Sequence, residues 1–480
     1  MRGNPFLAKI RYKVCILCLF RASIRCQCIQ CVDEMTMMIL HNNVDGSIIV
    51  YYFWNLSILL LLIHTRALQS CFQSTEVNRF RFRSVIRSGC KTNIFRNALS
   101  KNQDEVELQR SIKPVSPEQE LQALSEAAKE YGINEKDVYG AGAQWLDSFE
   151  EEIANLLGKE AAMFCPSGVM AQQIALLVHR NASQTGGNSF VCHPTSHLLI
   201  WEENAYKELL GFEALISESR KEPLKPEDLS RVLQERFPNT EKPSTVILEI
   251  PYRELGGVCT SFEDIKGIKA ICAEHSLKLH MDGARIWEAQ PYYELSFKEI
   301  AEPFDSVYVS FYKGLGGLTG AMLIGNADFI KESRVWLRRF GGNVFTSLPY
   351  ALSALKGYRT QLGSFEKKRL KMIKIIQELT RMAESKGLQD KIKFCPEVPH
   401  CNMVHCHLSW PEEVLMPKVQ AAADSTGIRT ITRLRQSSNQ GSYYEWSLGE
   451  QNFELDESAF YAGFEALFEE LLKLEEIEKT

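Results

Sequence analysis

The sequence predicts an α/β fold: a mostly parallel central sheet covered by helices, followed by a smaller α+β C-terminal domain. Three observations carry this. Strand-like apolar runs alternate with helical ones from about residue 160 to 325, the pattern of parallel strands joined by crossover helices. A long, charged helical stretch from about Ala351 to Lys386 then leads to a strand at Met403 to Leu408 and a final amphipathic helix from Glu457. At 480 residues the chain is long enough for two or three domains with sizeable cores. The expected division is an extension over 1–114 that stands outside the fold, a large domain over 115–360 and a small domain over 361–480.

In chain order, the extension comes first and differs in composition. Residues 1–110 carry 15 Lys or Arg against 7 Asp or Glu, whereas the remainder carries 40 against 53. An acidic main body disfavours a nucleic-acid partner. Residues 47–63, SIIVYYFWNLSILLLLI, are almost wholly apolar and just long enough for a marginal membrane span, so membrane contact is expected only if that segment is genuine. Residues 64–101 are rich in Arg and Ser with Glu76 as the single acid, like a mitochondrial transit segment, although such a segment belongs at the N-terminus. The expected location is cytoplasmic, with mitochondrial as the alternative. Fourteen scattered cysteines fit reduced thiols. Cys26, Cys28 and Cys31 lack a second ligand pair, and His405, Cys406 and His407 alternate across a strand, so no metal site is expected.

The large domain holds the chemistry. Ala161 to Pro166 reads as a strand, and Met170, Ile174, Leu177 and Val178 continue at helical spacing. Ser167 and Gly168 thus open a helix, where free N–H groups and the dipole can hold a phosphate; an ordinary serine N-cap is the plainer alternative. His197 follows, with Glu202 five residues on: an imidazole can stack on a cofactor ring while a carboxylate fixes its tautomer. The runs Leu277 to Met281 and Ser306 to Phe311 read as strands ending in Asp282-Gly-Ala-Arg285 and in Lys313-Gly-Leu-Gly-Gly. Open α/β sheets place ligands at these carboxyl ends. A desolvated lysine there can attack an aldehyde, which makes Lys313 a Schiff-base candidate. In pyridoxal phosphate enzymes a carboxylate such as Asp282 keeps the ring nitrogen protonated.

Together these segments resemble the threonine aldolase and aromatic amino acid β-eliminating lyase family of fold-type I pyridoxal phosphate enzymes. The matching motifs are DVYGAG at 137–142, FCPSGVMA at 164–171, SH at 196–197, LE with GG at 248–257, MDGAR at 281–285 and SFYKGLGG at 310–317. The resemblance implies a pyridoxal 5'-phosphate lyase that cleaves a β-hydroxy amino acid to glycine and an aldehyde. A β-eliminating lyase on another β-substituted amino acid, or a non-catalytic relative keeping the fold, are the alternatives. Lys313 and His197 would be catalytic; Ser167, Gly168, His197, Asp282 and Lys313 would hold the cofactor; Arg285, Tyr139 and Tyr252 would meet the substrate. Tyr139 and Gly140 match a segment that reaches a neighbouring subunit's site, which implies a homodimer or homotetramer.

The motifs also depart from the family. Tyr252 and Arg253 stand where many threonine aldolases have His-Asn, and a phenol is a poor base at neutral pH, so threonine cleavage is expected to be weak unless His197, a bound water or the cofactor phosphate takes the hydroxyl proton. Val169 replaces a threonine after Ser-Gly, and Phe345 an arginine. The family's second carboxylate-binding arginine has no clean match near the C-terminus. Arg429, Arg433 and Arg435 lie nearby and read as solvated charges.

Overall fold

A computed structural model describes residues 105–183, 187–236 and 242–478. The apolar segment 47–63, the Arg/Ser-rich stretch 64–101 and the early cysteines lie outside the described residues.

Seven strands form the main sheet: β2 (Ala161–Cys165), β3 (Ser189–Cys192), β4 (Glu213–Ile216), β5 (Thr245–Glu249), β6 (Lys278–Gly283), β7 (Ser306–Ser310) and β8 (Ala321–Gly325), in the order β2-β8-β7-β6-β5-β3-β4. Only β8 runs antiparallel to its neighbours. Strands buried on both faces read as continuous apolar runs, and β5 and β7 are buried at every position. Alternate side chains feed two cores. Leu248, Met281 and Val309 pack with helices Gln144–Leu156, Pro226–Arg236 and Phe262–Glu274. Met163, Tyr308 and Leu323 face helices Gly168–Ala182 and Ala327–Arg339. The carboxyl ends of β5, β6 and β7 therefore lie side by side, with Glu249 opposite Asp282 and Asp282 opposite Tyr308.

The stretch expected to be one long helix is two, Leu348–Gln361 and Phe365–Ser385, separated by a 3-10 turn at Leu362–Ser364. Gly363 weakens helix propagation there, and the Ser364 hydroxyl donates back to the Gln361 carbonyl at 2.6 Å. Beyond it, β9 (Ile392–Cys395), β10 (Met403–Leu408), β12 (Gln436–Ser438) and β13 (Gly441–Ser447) form an antiparallel sheet in the order β12-β13-β10-β9. Along β13 the alternation sends Tyr444 and Trp446 into the small-domain core and Tyr443 and Glu445 to the opposite face.

Residues 105–111 are a correction to the expected extension. Strand β1 (Val106–Glu107) pairs with β11 (Ile428–Arg429) of the small domain. Leu108 is fully buried in that domain's core, and its carbonyl accepts from Trp446 Nε1 at 3.0 Å and Asn452 Nδ2 at 2.8 Å. Composition hid this short strand, because two residues can satisfy a pairing without altering the charge average of a hundred.

Candidate active site

A small cleft opens at the carboxyl ends of β5, β6 and β7. Its polar lining is His197, Glu249, Arg253, Asp282, Arg285 and Lys313, with Pro251 and Ala284 as the apolar part. Four residues singled out from sequence, Lys313, Asp282, Arg285 and His197, are thus brought together.

Lys313 sits three residues past the end of β7 on a turn made by glycines. The Gly316 N–H donates to the Lys313 carbonyl at 3.0 Å with Gly316 at φ 75°, and the Gly317 N–H returns to the Phe311 carbonyl at 2.8 Å. A positive φ is costly for a residue with a Cβ, so Gly316 lets the chain fold back and hold the lysine over the sheet edge. Burial, reinforced by Arg285, lowers Lys313 to about 8, while Asp282 and Glu249 oppose the shift. An appreciable fraction is then the neutral, nucleophilic amine near neutral pH.

Asp282 is buried, and its carboxylate accepts the Ala284 N–H at 3.2 Å. His197 begins a short helix, and its Nδ1 lies 2.9 Å from Glu202 Oε1; Glu202 in turn accepts from Gln173 Nε2 at 3.0 Å. A carboxylate on Nδ1 fixes the ring orientation and leaves Nε2 as the nitrogen available to the cavity. The Arg285 carbonyl accepts the Glu288 and Ala289 N–H groups, but its guanidinium makes no hydrogen bond or ion pair with any described residue, so a planar cationic fork is free to take a carboxylate.

Ser167 and Gly168 stand at a helix N-terminus as expected, outside the cavity lining. The Ser167 hydroxyl accepts the Met170 N–H at 3.3 Å, an N-cap. Gly168 lies so close to Tyr308 that a Cβ would stand 1.9 Å from its hydroxyl, so only glycine allows this helix to approach β7. On that same face of β7, Ser306 bonds His179 of the helix, and strand alternation places Ser310 there too. The Ser310 hydroxyl is buried without a partner among the described residues.

Two expectations are corrected. Tyr252 is only 1% exposed and its ring packs edge-on against His193 at 5.0 Å, outside the lining. Burial and Glu249 push its phenol well above the ordinary value, so it is neither a base nor a substrate contact. Its neighbour Arg253 reaches the cavity instead, because the 3-10 turn Arg253–Leu255 swings successive side chains to different sides. Tyr139, expected to reach a neighbouring subunit's site, is half exposed, at φ 54° and edge-on to Phe345 at 5.4 Å. Arg435 and Arg429 are not solvated charges. Arg435 binds Glu254 and Glu445 at 2.8 and 3.2 Å, and Arg429 binds Glu105 at 2.9 Å.

Sequence reasoning missed Glu249 and Ser310. Glu249 accepts the backbone N–H groups of Arg253 at 3.0 Å and His197 at 3.3 Å. Burial and Asp282 raise it to about 7, against the Arg253 N–H, His197 and Lys313. The signal was present: each is a polar residue at the carboxyl end of an otherwise apolar strand, as Asp282 is. Among the described residues no group of three or more metal-ligating side chains converges, and no helix is long and apolar enough to cross a membrane.

The beta-eliminating lyase family model matches residues 115–391. The low specificity L-threonine aldolase of Saccharomyces cerevisiae is 28% identical over 273 residues, which cover 55% of this chain and 66% of the yeast protein. The low-specificity L-threonine aldolase 1 of Arabidopsis thaliana is 25% identical over 285 residues, 59% of this chain and 77% of the plant protein. A Listeria monocytogenes crystal structure described as an L-allo-threonine aldolase is 33% identical with a TM-score of 0.69, covering 77% of this chain and 97% of that one.

Proposed function

The chain belongs to the beta-eliminating lyase family, and from that premise we propose a pyridoxal phosphate-dependent lyase that cleaves the Cα–Cβ bond of threonine or a similar β-hydroxy amino acid, releasing glycine and an aldehyde. The observation that carries this reading is the convergence of Lys313, Asp282, Arg285 and His197 on one cavity. The residues present fit the cofactor. Lys313 is an amine of lowered pKa suited to its aldehyde, and Asp282 a buried carboxylate suited to its ring nitrogen. Ser167 and Gly168, with the unpartnered Ser310 hydroxyl on the same side of β7, supply donors for its phosphate. When bound, pyridoxal phosphate supplies the electron sink that stabilises negative charge at Cα.

The chain's own groups do the rest. Arg285 holds the substrate carboxylate, which fixes the direction of the Cα–Cβ bond. His197, with Nδ1 on Glu202, presents Nε2 to take the β-hydroxyl proton, a part that the buried Tyr252 cannot play. The expectation of weak threonine cleavage made an exception for a proton taken by His197, and this reading takes that exception, supported by the place of His197 in the cavity lining. A homodimer or homotetramer belongs to the same reading, supported by the exposed apolar neighbours Val138, Tyr139 and Phe345. So does a reducing compartment, the cytosol or alternatively the mitochondrion, supported by seven unpaired cysteines among the described residues.

The test is to load the purified chain with pyridoxal phosphate and assay aldehyde and ammonia from threonine, allo-threonine and serine. Aldehyde with matching glycine, lost in His197→Asn and unchanged within about twofold in Tyr252→Phe, is the expected outcome. Ammonia without aldehyde would move the assignment to the eliminating lyases, and no cofactor uptake would end it.

A further inference from the structure

Two guanidiniums, not one, line the cavity. Arg285 comes from the end of β6. Arg253 comes from the turn after β5 and is held from the small domain: its Nε donates to Glu445 Oε2 at 2.8 Å and its Nη2 to Glu445 Oε1 at 3.3 Å. That bidentate grip occupies one edge of the fork and leaves Nη1 without a partner among the described residues. Glu445 is held in turn by Arg435 at 3.2 Å, and Arg435 also binds Glu254 at 2.8 Å. Burial pushes the Glu445 carboxyl up, but Arg253, Arg285 and Arg435 outweigh it and keep it below its usual range. His405 lies 4.0 Å from Glu445 and is lowered to about 4 by burial, so it adds no charge near neutral pH.

The charges of this cluster can be counted. Arg253 and Arg435 balance Glu445 and Glu254, so the connected network is neutral. In the lining Lys313 is set against Asp282, which leaves Arg285 as the cation without a counter-charge beside the network. Glu288, one turn along from Arg285, is pushed toward its neutral form by burial. The cavity is matched to one incoming negative charge, and a second would find no further unmatched cation in the lining.

We propose that Arg253 is the second arginine for the substrate's α-carboxylate, oriented by Glu445 and Arg435, and that the Arg253–Arg285 pair restricts the site to amino acids with one carboxylate and an uncharged side chain. This rests on the proposed function, since it takes the cavity to be the amino-acid site. It also places the missing second arginine on the turn after β5 rather than near the C-terminus.

The test titrates the cofactor-loaded full chain with glycine and with glycinamide, following the cofactor's absorbance. The two differ in the carboxylate, and neither has a Cα–Cβ bond to cleave. Arg253→Gln is expected to weaken glycine binding at least tenfold while glycinamide stays within about twofold, the cost of one charge-assisted hydrogen bond. Arg253→Lys, which keeps the charge but loses the fork, should fall between. In the wild-type chain, β-hydroxyaspartate should bind at least tenfold more weakly than threonine. Equal losses for glycine and glycinamide, or none, would overturn the role of Arg253, and tight β-hydroxyaspartate binding would overturn the restriction. A wild-type chain that takes up the cofactor but responds to no amino acid would instead overturn the proposed function, and this inference with it.

Discussion

The two walls of the cavity are built on different scales. The wall of Asp282 and Lys313 rises from adjacent strands of one sheet, each residue placed by its own short motif at a strand end. The opposite wall is composite: Arg253 is held by Glu445, 192 residues away, on a strand of another domain. A wall made by one sheet is as rigid as the sheet. A wall made by a long-range ion network is only as well placed as the two domains that supply it, which ties substrate recognition to small-domain stability while leaving the cofactor end independent.

The largest expected effect removes the first wall's chemistry. Lys313→Ala should abolish the borohydride-sensitive absorbance band of the loaded chain and lower turnover by more than about a thousandfold, with thermal unfolding nearly unchanged. A retained band would take Lys313 out of the site.

Loosening the second wall from a distance comes next. Leu108 is fully buried in the small-domain core, and Leu108→Ala should cost roughly 2–5 kcal/mol in urea unfolding. If the walls are as independent as their construction implies, the variant weakens amino-acid binding before it loses the cofactor band. Simultaneous loss of both would break the comparison. A chain begun near residue 115 should fare worse still, because it removes the paired strand as well.

Asp282→Asn should keep much of the cofactor but lower turnover about a hundredfold, since a neutral amide cannot hold the ring nitrogen protonated. Near-normal turnover, measured alongside the absorbance spectrum, would contradict that role.

Glu249 stands where the walls meet, and the smallest effect probes it. Its carboxyl is raised to about 7 in the folded chain, so between its ordinary value of 4.5 and about 7 the folded state binds the proton more tightly than the unfolded one. Stability should therefore fall as pH rises through that window and level off above it. Glu249→Gln does not titrate and should remove this fall, gaining roughly 1–3 kcal/mol on the wild type between pH 4.5 and 8. Parallel stability curves for the two proteins would mean that Glu249 is as well solvated as a surface acid.

How much was legible follows from these scales. The alternation of strands and helices announced the sheet, and the runs ending at Asp282 and Lys313 fell within a residue or two of the observed strands, because burial on both faces leaves an apolar run that composition cannot hide. Ser167, Gly168 and His197 were legible for a similar reason: helix starts are local events.

By itself, then, the sequence determined the sheet, the small domain and the four groups that meet at strand and helix ends, all properties of a few contiguous residues. Tertiary structure alone decided three things. It turned Tyr252 inward and Arg253 outward, a choice between neighbours that depends on which side of a turn the core occupies. It took residues 105–111 into the C-terminal domain, through a pairing whose partners are more than 300 residues apart. And it converted Arg435 from an apparent surface charge into a brace for Arg253, since an ion network exists only once the chain has brought its members within a few ångströms, where the lower dielectric of a part-buried site makes their attraction count.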